Sequence, residues 1–198
     1  MGGFPLRLPE ELALTLSHQW PWRELQIRQL ASLLSPALPS PPSIIIHGPQ
    51  DSGKSSVLTA LLAAYNGHIA AADTGNGRDK EVYMNGYLEA KHNSVLPYAV
   101  VKCAECITVR HLLGKIVAVV IAGACASASF LDEDARRVWK EDTRAKAKCD
   151  HISSLPDVLR DTLDSVGCGK FVLVLDGIDD LREGGQMLLA ALGRLGEL

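Results

Sequence analysis

The octapeptide "GPQDSGKS", which spans Gly48–Ser55, decides how the rest of the chain is interpreted. It matches the pattern G-x-x-x-x-G-K-[ST] in full, and the spacing has a chemical reason. The two glycines allow the backbone to wrap its N–H groups around an anion. Lys54 can reach the β- and γ-phosphates of a nucleotide, and the Ser55 hydroxyl can ligate magnesium. The predicted nucleotide ligands in this loop are Gly48, Pro49, Gln50, Asp51, Ser52, Gly53, Lys54, Ser55 and Ser56.

The residues on either side of this loop have the patterns that a phosphate-binding loop needs. "SIIIHG" (residues 43–48) is a β-branched run bounded by Pro and Gly, which predicts a buried strand. From Ser55 onward one apolar face predicts a helix, and Asn66-Gly67 predicts its end. The apolar face consists of Val57, Leu58, Leu61, Leu62 and Tyr65. A strand, a glycine-containing loop and a helix in this order favour nucleotide binding at the helix N-terminus.

A second stretch, "FVLVLDGIDDLRE" (residues 171–183), supplies the candidate acid for a metal. Its apolar residues predict a strand ending at Asp176, whose carboxylate is expected to hold magnesium together with Ser55. The alternative is a turn-forming Asp, because Asp-Gly is a common turn dipeptide.

Gly177 occupies the position where many nucleotide hydrolases have a glutamate that orients water. A glycine cannot do this, and losing such a group typically costs about a hundred- to ten-thousand-fold in rate. Asp179 and Asp180 are close in sequence, but they are shorter than Glu and differ in register. We therefore expect nucleotide binding with weak or absent turnover.

The remaining pattern alternates between helix and strand. A helix is predicted around "RELQIRQLASLL", with Ile27, Leu30 and Leu34 on one face. Three more helices are predicted: one that begins after Thr108 as a cap, one from Leu155 to a stop at Gly167, and one over "QMLLAALGRLGEL" (residues 186–198). Further strands are predicted over "VLPYAVVKC" (residues 95–103) and "KFVLVLD" (residues 170–176). Residues of about 67–94 and 132–150 are predicted to be surface insertions. The alternation favours an α/β fold, a parallel sheet with helices on both faces.

Composition narrows the class of protein. The 198 residues are 47% hydrophobic and carry a net charge of -3, which suits a globular domain and does not indicate a nucleic-acid binder by bulk charge. A secretory signal is not expected, because "MGGFPLRLPEELALTL" has no basic segment followed by an uninterrupted apolar stretch. The apolar run at residues 116–131 is shorter than a membrane span. Five cysteines without regular spacing argue against a disulfide framework. Cys103 and Cys106 form a C-x-x-C, but zinc would need a second ligand pair, so the prediction is two half-buried thiols at the end of a strand.

Four segments together resemble subunit 5 of the eukaryotic origin recognition complex, in the form found in fungi. They are "RELQIRQL" (residues 23–30), "PPSIIIHGPQDSGKSSV" (residues 41–57), "VVKCAECITVRHLLGKIV" (residues 100–117) and "VLVLDGIDDLREGGQMLLAALGRLGEL" (residues 172–198). The C-x-E-C-x-T-x-R-x-L-L pattern is the most specific of these features, since P-loop proteins in general do not share it.

The resemblance implies a P-loop NTPase of the AAA+ initiator clade with a RecA-like αβα domain. It implies ATP and Mg²⁺ as ligands, a place near the adenine for Pro21 and Trp22, and a nuclear hetero-oligomeric ring that binds origin DNA and helps to load the replicative helicase. An aromatic staple packing against the first helix is the alternative role for Trp22. Strand order 5-1-4-3-2 is also implied, so that residues 1–198 are expected to be a partial domain without strands 4 and 5, the lid and the winged helix.

Two other functions are compatible with parts of the sequence. "LVLDGIDDL" also resembles the magnesium-binding strand of NACHT-type (STAND) signalling NTPases, which change oligomeric state with the bound nucleotide. A small-molecule kinase is less well supported, since no arginine cluster of a lid is visible. Arg182 and Arg194 are the nearest candidates for an arginine finger, and surface arginine is the alternative reading for both.

Overall fold

The computed structural model describes residues 8–35, 39, 41, 43–72, 96–127, 132–181 and 185–197. Backbone contacts divide the chain into two compact units, Met1–Leu96 and Pro97–Leu198. The helices and strands of the described residues are α1 (Leu8–Gln19), α2 (Glu24–Leu34), α3 (Lys54–Ala72), β1 (Tyr98–Lys102), α4 (Val109–Ser127), α5 (Glu133–Lys146), α6 (Leu155–Asp164), β2 (Val172–Asp176) and α7 (Gly185–Gly193). Arg182 lies outside the described residues, and Arg194 is exposed just after α7.

The first unit is built from α1, α2 and α3, which pack against one another. The predicted helix over "RELQIRQLASLL" is confirmed, and it buries Ile27, Ala31 and Leu34 at a spacing that places them on one face. Tyr65 of α3 is buried, and its hydroxyl donates a hydrogen bond to the Ala31 carbonyl of α2 at 2.5 Å. This bond joins the helix that follows the phosphate loop to the helix that precedes it. Helix α1 was not predicted from the sequence.

The strand predicted over residues 43–48 is wrong. The structure gives residues 43–49 no regular secondary structure, and the side chain of Ile45 is 86% exposed. A β-strand needs a hydrogen-bonded neighbour, and no segment of the described residues pairs with this one in the sheet. The strand order implied by the resemblance would place strands 4 and 5 beside it, and neither is among the described residues.

The predicted end of α3 at Asn66-Gly67 is also wrong, because the helix continues to Ala72. Gly costs only about 1 kcal/mol within a helix, and the three alanines that follow at 70–72 are the best helix formers. The proposed insertion at 67–94 therefore begins inside a helix, and residues 73–95 lie outside the described residues.

The second unit contains a parallel pair of strands. β1 and β2 pair in register from Tyr98 with Val172 to Lys102 with Asp176, as the predicted βαβ alternation requires. Helix α4 packs on β1, and its first turn is capped by the Thr108 hydroxyl, which accepts a bond from the His111 N–H at 3.2 Å. Both strands and the cap are confirmed predictions.

The core of this unit lies between the strands and helices α4 and α6. Its buried residues include Ala99, Val101, Leu112, Leu113, Ile116, Val117, Val120, Ile121, Leu155, Leu159 and Leu188. Gly167, at φ +61°, follows α6 and ends it where the sequence predicted, with the Cys168 N–H donating to the Leu163 carbonyl at 3.0 Å. Because α4 crosses the strands closely at Gly123, a side chain there would lie 2.7 Å from the Tyr98 carbonyl oxygen.

The segment 132–150 contains helix α5. Asp132 caps it by accepting a bond from the Ala135 N–H at 2.8 Å, and none of its residues is buried. Exposed ion pairs join Arg137 to Asp134 and Lys146 to Asp142, so opposite charges are interspersed along this helix. Among the described residues, no helix has the length and apolar character required to cross a bilayer.

Candidate nucleotide-binding site

The backbone of the predicted phosphate loop adopts conformations that explain its glycines. Gly53 has φ +80° and Gly48 has φ +155°, both in regions that L side chains rarely adopt. A Cβ at Gly53 would meet no atom within 4 Å, so the backbone angle, and not crowding, requires glycine there. Asp51, at φ +56°, is the one non-glycine residue with a positive φ in the described part of the chain; Asp tolerates this region better than most residues.

Lys54 connects the two ends of the loop. Its Nζ donates hydrogen bonds to the carbonyl oxygens of Gly48 at 2.9 Å and Pro49 at 2.8 Å, and it lies 3.5 Å from the Ser52 Oγ. The structure therefore brings Gly48, Pro49, Ser52 and Lys54 together around one ammonium group. This ammonium is the group that the motif assigns to the β- and γ-phosphates.

Ser55 and Ser56 are exposed in the first turn of α3. The N-terminus of an α-helix carries the positive end of the helix dipole. The Val57 N–H is the donor that closes the first helical turn, onto the Gly53 carbonyl at 3.0 Å. The N-terminus of α3 thus has the arrangement that attracts a phosphate, and the individual roles of residues 48–56 remain predictions.

Arg23 also contacts the phosphate loop, although no catalytic or binding motif of the sequence contains it. Its Nη2 donates a hydrogen bond to the Ser52 carbonyl oxygen, across 29 positions of sequence. Two sequence features pointed towards it: it begins the segment "RELQIRQL" (residues 23–30), and it lies beside Pro21 and Trp22, which the resemblance puts near the adenine.

Pro21 and Trp22 lie in a short 3-10 turn, Pro21–Arg23, immediately before α2. The side chain of Trp22 is 93% exposed. A hydrophobic staple would require this ring to pack against the helix, so the structure excludes the staple reading. The ring is accessible to a ligand, and its contact with a base remains a prediction.

Asp176 and Gly177 lie at the carboxyl end of β2, in the second unit. Asp176 is the last residue of the strand, pairs with Lys102 and is partly buried. Gly177 has φ +65°, and a turn follows in which the Asp180 N–H donates to the Gly177 carbonyl at 3.1 Å. The two readings of Asp176 are therefore compatible, because a carboxylate at the strand end is followed by a tight turn.

The C-x-x-C lies directly after β1. Both cysteines are buried free thiols; Cys103 begins the 3-10 turn Cys103–Glu105, and the N–H of Cys106, which follows the turn, donates to the Cys103 carbonyl at 2.9 Å. Burial, and after it the charges of Cys106 and Asp176, raises the pKa of the Cys103 thiol to about 11. Within the described residues, no group of three or more His, Cys, Asp or Glu side chains is arranged to hold a metal ion.

Lys115 forms an ion pair with Glu105, a residue between these two cysteines. The ion pair lowers the pKa of Glu105 and raises the pKa of Lys115.

Comparison with known proteins identifies the family to which the chain belongs. The AAA ATPase domain family matches residues 19–198, which includes both the phosphate loop and the strand ending at Asp176. No curated protein and no solved structure matches the chain. The match agrees with the α/β architecture, a parallel strand pair with helices packed on it and a P-loop before α3. Binding of nucleotide with a metal is the general property that this family suggests. The chain is therefore an α/β P-loop NTPase that belongs to the AAA ATPase domain family.

Proposed function

We propose that this chain is an ATP-binding subunit of the origin recognition complex in which ATP acts mainly as a structural or switching ligand. The observation that supports slow ATP hydrolysis is Gly177, which adopts a left-handed backbone conformation directly after Asp176. A glutamate at that position would be strained, and glycine has no group that can orient water. The family match supports nucleotide binding in general.

In this proposal the nucleotide is ATP with Mg²⁺. Lys54 would exchange its bonds to the Gly48 and Pro49 carbonyls for bonds to phosphate oxygens. Ser55 and Asp176 would hold the magnesium, whose charge offsets that of the phosphates. Pro21 and Trp22 would contact the adenine.

The assignment to an origin complex is supported by the quoted segments, above all by "CAECITVR" (residues 103–110). In the structure this segment forms the turn after β1 and the capped start of α4. By the resemblance, the subunit acts in the nucleus, in a hetero-oligomeric ring with the other subunits, and reaches origin DNA through that assembly. The net charge of -3 does not favour direct electrostatic binding of this chain to DNA, which agrees with contact to DNA through the assembly.

Isothermal titration calorimetry with ATP and Mg²⁺ tests the nucleotide. The wild-type chain is expected to bind, and Lys54→Ala is expected to lose about ten- to a hundredfold in affinity, the usual worth of a charged hydrogen bond. Lys146→Ala is the matched control, because Lys146 forms an exposed pair with Asp142 on α5. Absence of binding by the wild type would reject the proposal. ATP turnover at an ordinary rate, lost in Lys54→Ala, would reject the structural role for ATP.

Affinity capture of the full-length protein from nuclei tests the assembly. Other origin-complex subunits are expected to co-purify, and their absence would reject this part of the proposal. A NACHT-type switch is the second candidate, favoured by the sequence "LVLDGIDDL" (residues 173–181), which covers the end of β2 and the turn after it. It predicts instead that the protein changes its own oligomeric state when ATP replaces ADP, which light scattering would detect.

A further inference from the structure

We propose that Arg23 is a positioning residue for nucleotide binding, which acts by fixing the orientation of the Ser52–Gly53 peptide in the phosphate loop. This inference rests on the proposed binding of ATP at that loop. Arg23 is the last residue of the 3-10 turn Pro21–Arg23 and is partly buried. Its Nη2 donates to the Ser52 carbonyl oxygen.

Ser52 is held from two directions. Its carbonyl oxygen accepts the bond from Arg23, while its Oγ lies 3.5 Å from the Lys54 Nζ. Lys54 in turn binds the carbonyls of Gly48 and Pro49. The guanidinium and the ammonium therefore contact different polar groups of one residue, immediately before the glycine that leads into α3.

The planar trans peptide explains what the bond to Arg23 does. In such a unit the C=O and the N–H point in opposite directions, so anchoring the Ser52 oxygen also fixes the direction of the Gly53 N–H. Gly53, at φ +80°, is free to adopt both signs of φ. Without an anchor, this peptide can rotate and turn a carbonyl oxygen towards the phosphates, where two electronegative groups would repel each other.

The position of Arg23 is itself fixed by the helices. Helix α2 starts at the next residue, Glu24, and packs against α3. The buried Tyr65 hydroxyl of α3 donates to the Ala31 carbonyl of α2, as described above. The two helices on either side of the loop are thus joined, so that the guanidinium arrives at the loop from a rigid support.

The choice of arginine has a chemical reason. The guanidinium is always charged and presents several N–H donors in a fixed plane. One of them can hold the Ser52 carbonyl while the positive charge remains near a loop that is predicted to receive a polyanion. Lysine at this position would retain the charge and lose the planar geometry, and alanine would lose both.

The experiment compares Arg23→Ala and Arg23→Lys with Arg28→Ala. Arg28 is the matched control, because it lies on α2 itself, is exposed and pairs with Glu24 at 2.7 Å. Calorimetry with ATP and Mg²⁺ is expected to show a loss of about tenfold or more for Arg23→Ala, a partial recovery for Arg23→Lys and a change of less than about twofold for Arg28→Ala. Thermal unfolding without nucleotide checks that each variant is folded.

A second readout separates positioning from a general structural role. In ¹H–¹⁵N spectra of the nucleotide-free proteins, Arg23→Ala is expected to shift the Gly53 amide, and Arg28→Ala is expected to leave it in place. In titrations, the loss of affinity should be largest for ATP and ADP and smallest for AMP, because the loop holds the outer phosphates. A uniform loss for all three nucleotides would overturn the inference.

The outcomes distinguish this inference from the proposed function. If the wild type binds ATP and Arg23→Ala binds it within about twofold, the role of Arg23 is rejected and ATP binding stands. If neither the wild type nor Arg28→Ala binds ATP, the proposed function fails and the inference fails with it. Should Arg23→Ala not fold, Arg23→Gln takes its place with the same twofold criterion.

Discussion

Glycine is required at two positions of the candidate site for different reasons. At Gly53 a Cβ would meet nothing within 4 Å, so only the backbone angle demands glycine. At Gly177 the backbone angle of φ +65° is combined with proximity, because a Cβ would lie 3.1 Å from the Asp180 Oδ2. A glutamate at position 177 would therefore be strained and would extend from beside a carboxylate.

We expect Gly177→Glu to leave ATP turnover low and to lower the free energy of unfolding by about 1–2 kcal/mol, the cost of a left-handed conformation for an ordinary residue. Urea denaturation and phosphate release measure the two effects. Gly177→Asn is the matched control, because Asn is several-fold enriched at positive φ, and it should lose less stability than Glu. Brisk hydrolysis by Gly177→Glu would contradict the backbone argument.

The Cys103 thiol gives a pH dependence with a defined sign. Its pKa rises from 9.0 to about 11, chiefly through burial. Between these values the unfolded chain loses the thiol proton and the folded chain keeps it, so stability falls as pH rises through this window. Under reducing conditions the free energy of unfolding should lose about 1 kcal/mol from this group between pH 8 and pH 10. In urea denaturation, the free energy of unfolding of Cys103→Ala should fall less steeply with pH than that of the wild type. An identical fall in both proteins would contradict the raised pKa of the Cys103 thiol.

At the scale of elements, sequence patterns predicted what local chemistry determines. Helices α2, α4 and α6 follow from apolar periodicity together with Thr108 as a cap and Gly167 as a stop, and these features act within a few residues. The run of isoleucines at 44–46 predicts a strand that the structure does not form, because a strand depends on neighbours that the local sequence does not contain. Asn66-Gly67 predicts too early an end for α3, since one glycine does not outweigh the helix-forming alanines beyond it.

The candidate site was predictable to a similar extent. Spacing alone identified Gly48, Gly53 and Lys54, which the structure gathers in one loop. The sequence shows that position 177 has no side chain to orient water, but it did not predict the left-handed conformation of Gly177. The bond from Arg23 to Ser52 could not be foreseen, because no local pattern relates residues 29 positions apart.

Helix α4 offers a matched pair of glycines. A Cβ at Gly123 would lie 2.7 Å from the Tyr98 carbonyl oxygen and 3.1 Å from the Phe171 ring, whereas one at Gly114 would meet nothing within 4 Å. We expect Gly123→Ala to destabilise the protein by about 1–3 kcal/mol through overpacking. Gly114→Ala should stabilise it by up to about 1 kcal/mol through helix propensity. Urea denaturation measures both, and equal effects at the two positions would contradict the close approach of α4 to the strands.

At the scale of the whole molecule, the chain exposes large apolar side chains in both units. Trp22 and Ile45 belong to the first unit, and Ile107, which is 78% exposed, belongs to the second. Scattered apolar exposure is ordinary for a soluble protein. Ile45 differs because it lies in a segment whose β-branched sequence is suited to pairing and which the structure leaves outside the sheet. This segment is therefore the expected origin of self-association by the isolated chain.

Light scattering at about 100 μM, within the range where exposed apolar surface drives association, should report species larger than the monomer for residues 1–198. Ile45→Ser is expected to lower the average mass. Leu14→Ser is the matched control, since Leu14 is a half-exposed residue on helix α1 and should have little influence. A strictly monomeric wild type at this concentration would contradict the expectation.

The register of the parallel strands has a consequence for how the protein is made. Val100 pairs with Val174, 74 positions later in the chain. Closing a loop of this length costs about 4 kcal/mol of chain entropy before any pairing is gained, and it cannot begin until the later strand has left the ribosome. The contacts among α1, α2 and α3 close within the first 96 residues. During synthesis the helical unit that carries Lys54 is therefore free to form first, and the pairing of β2 with β1 follows as the slow step.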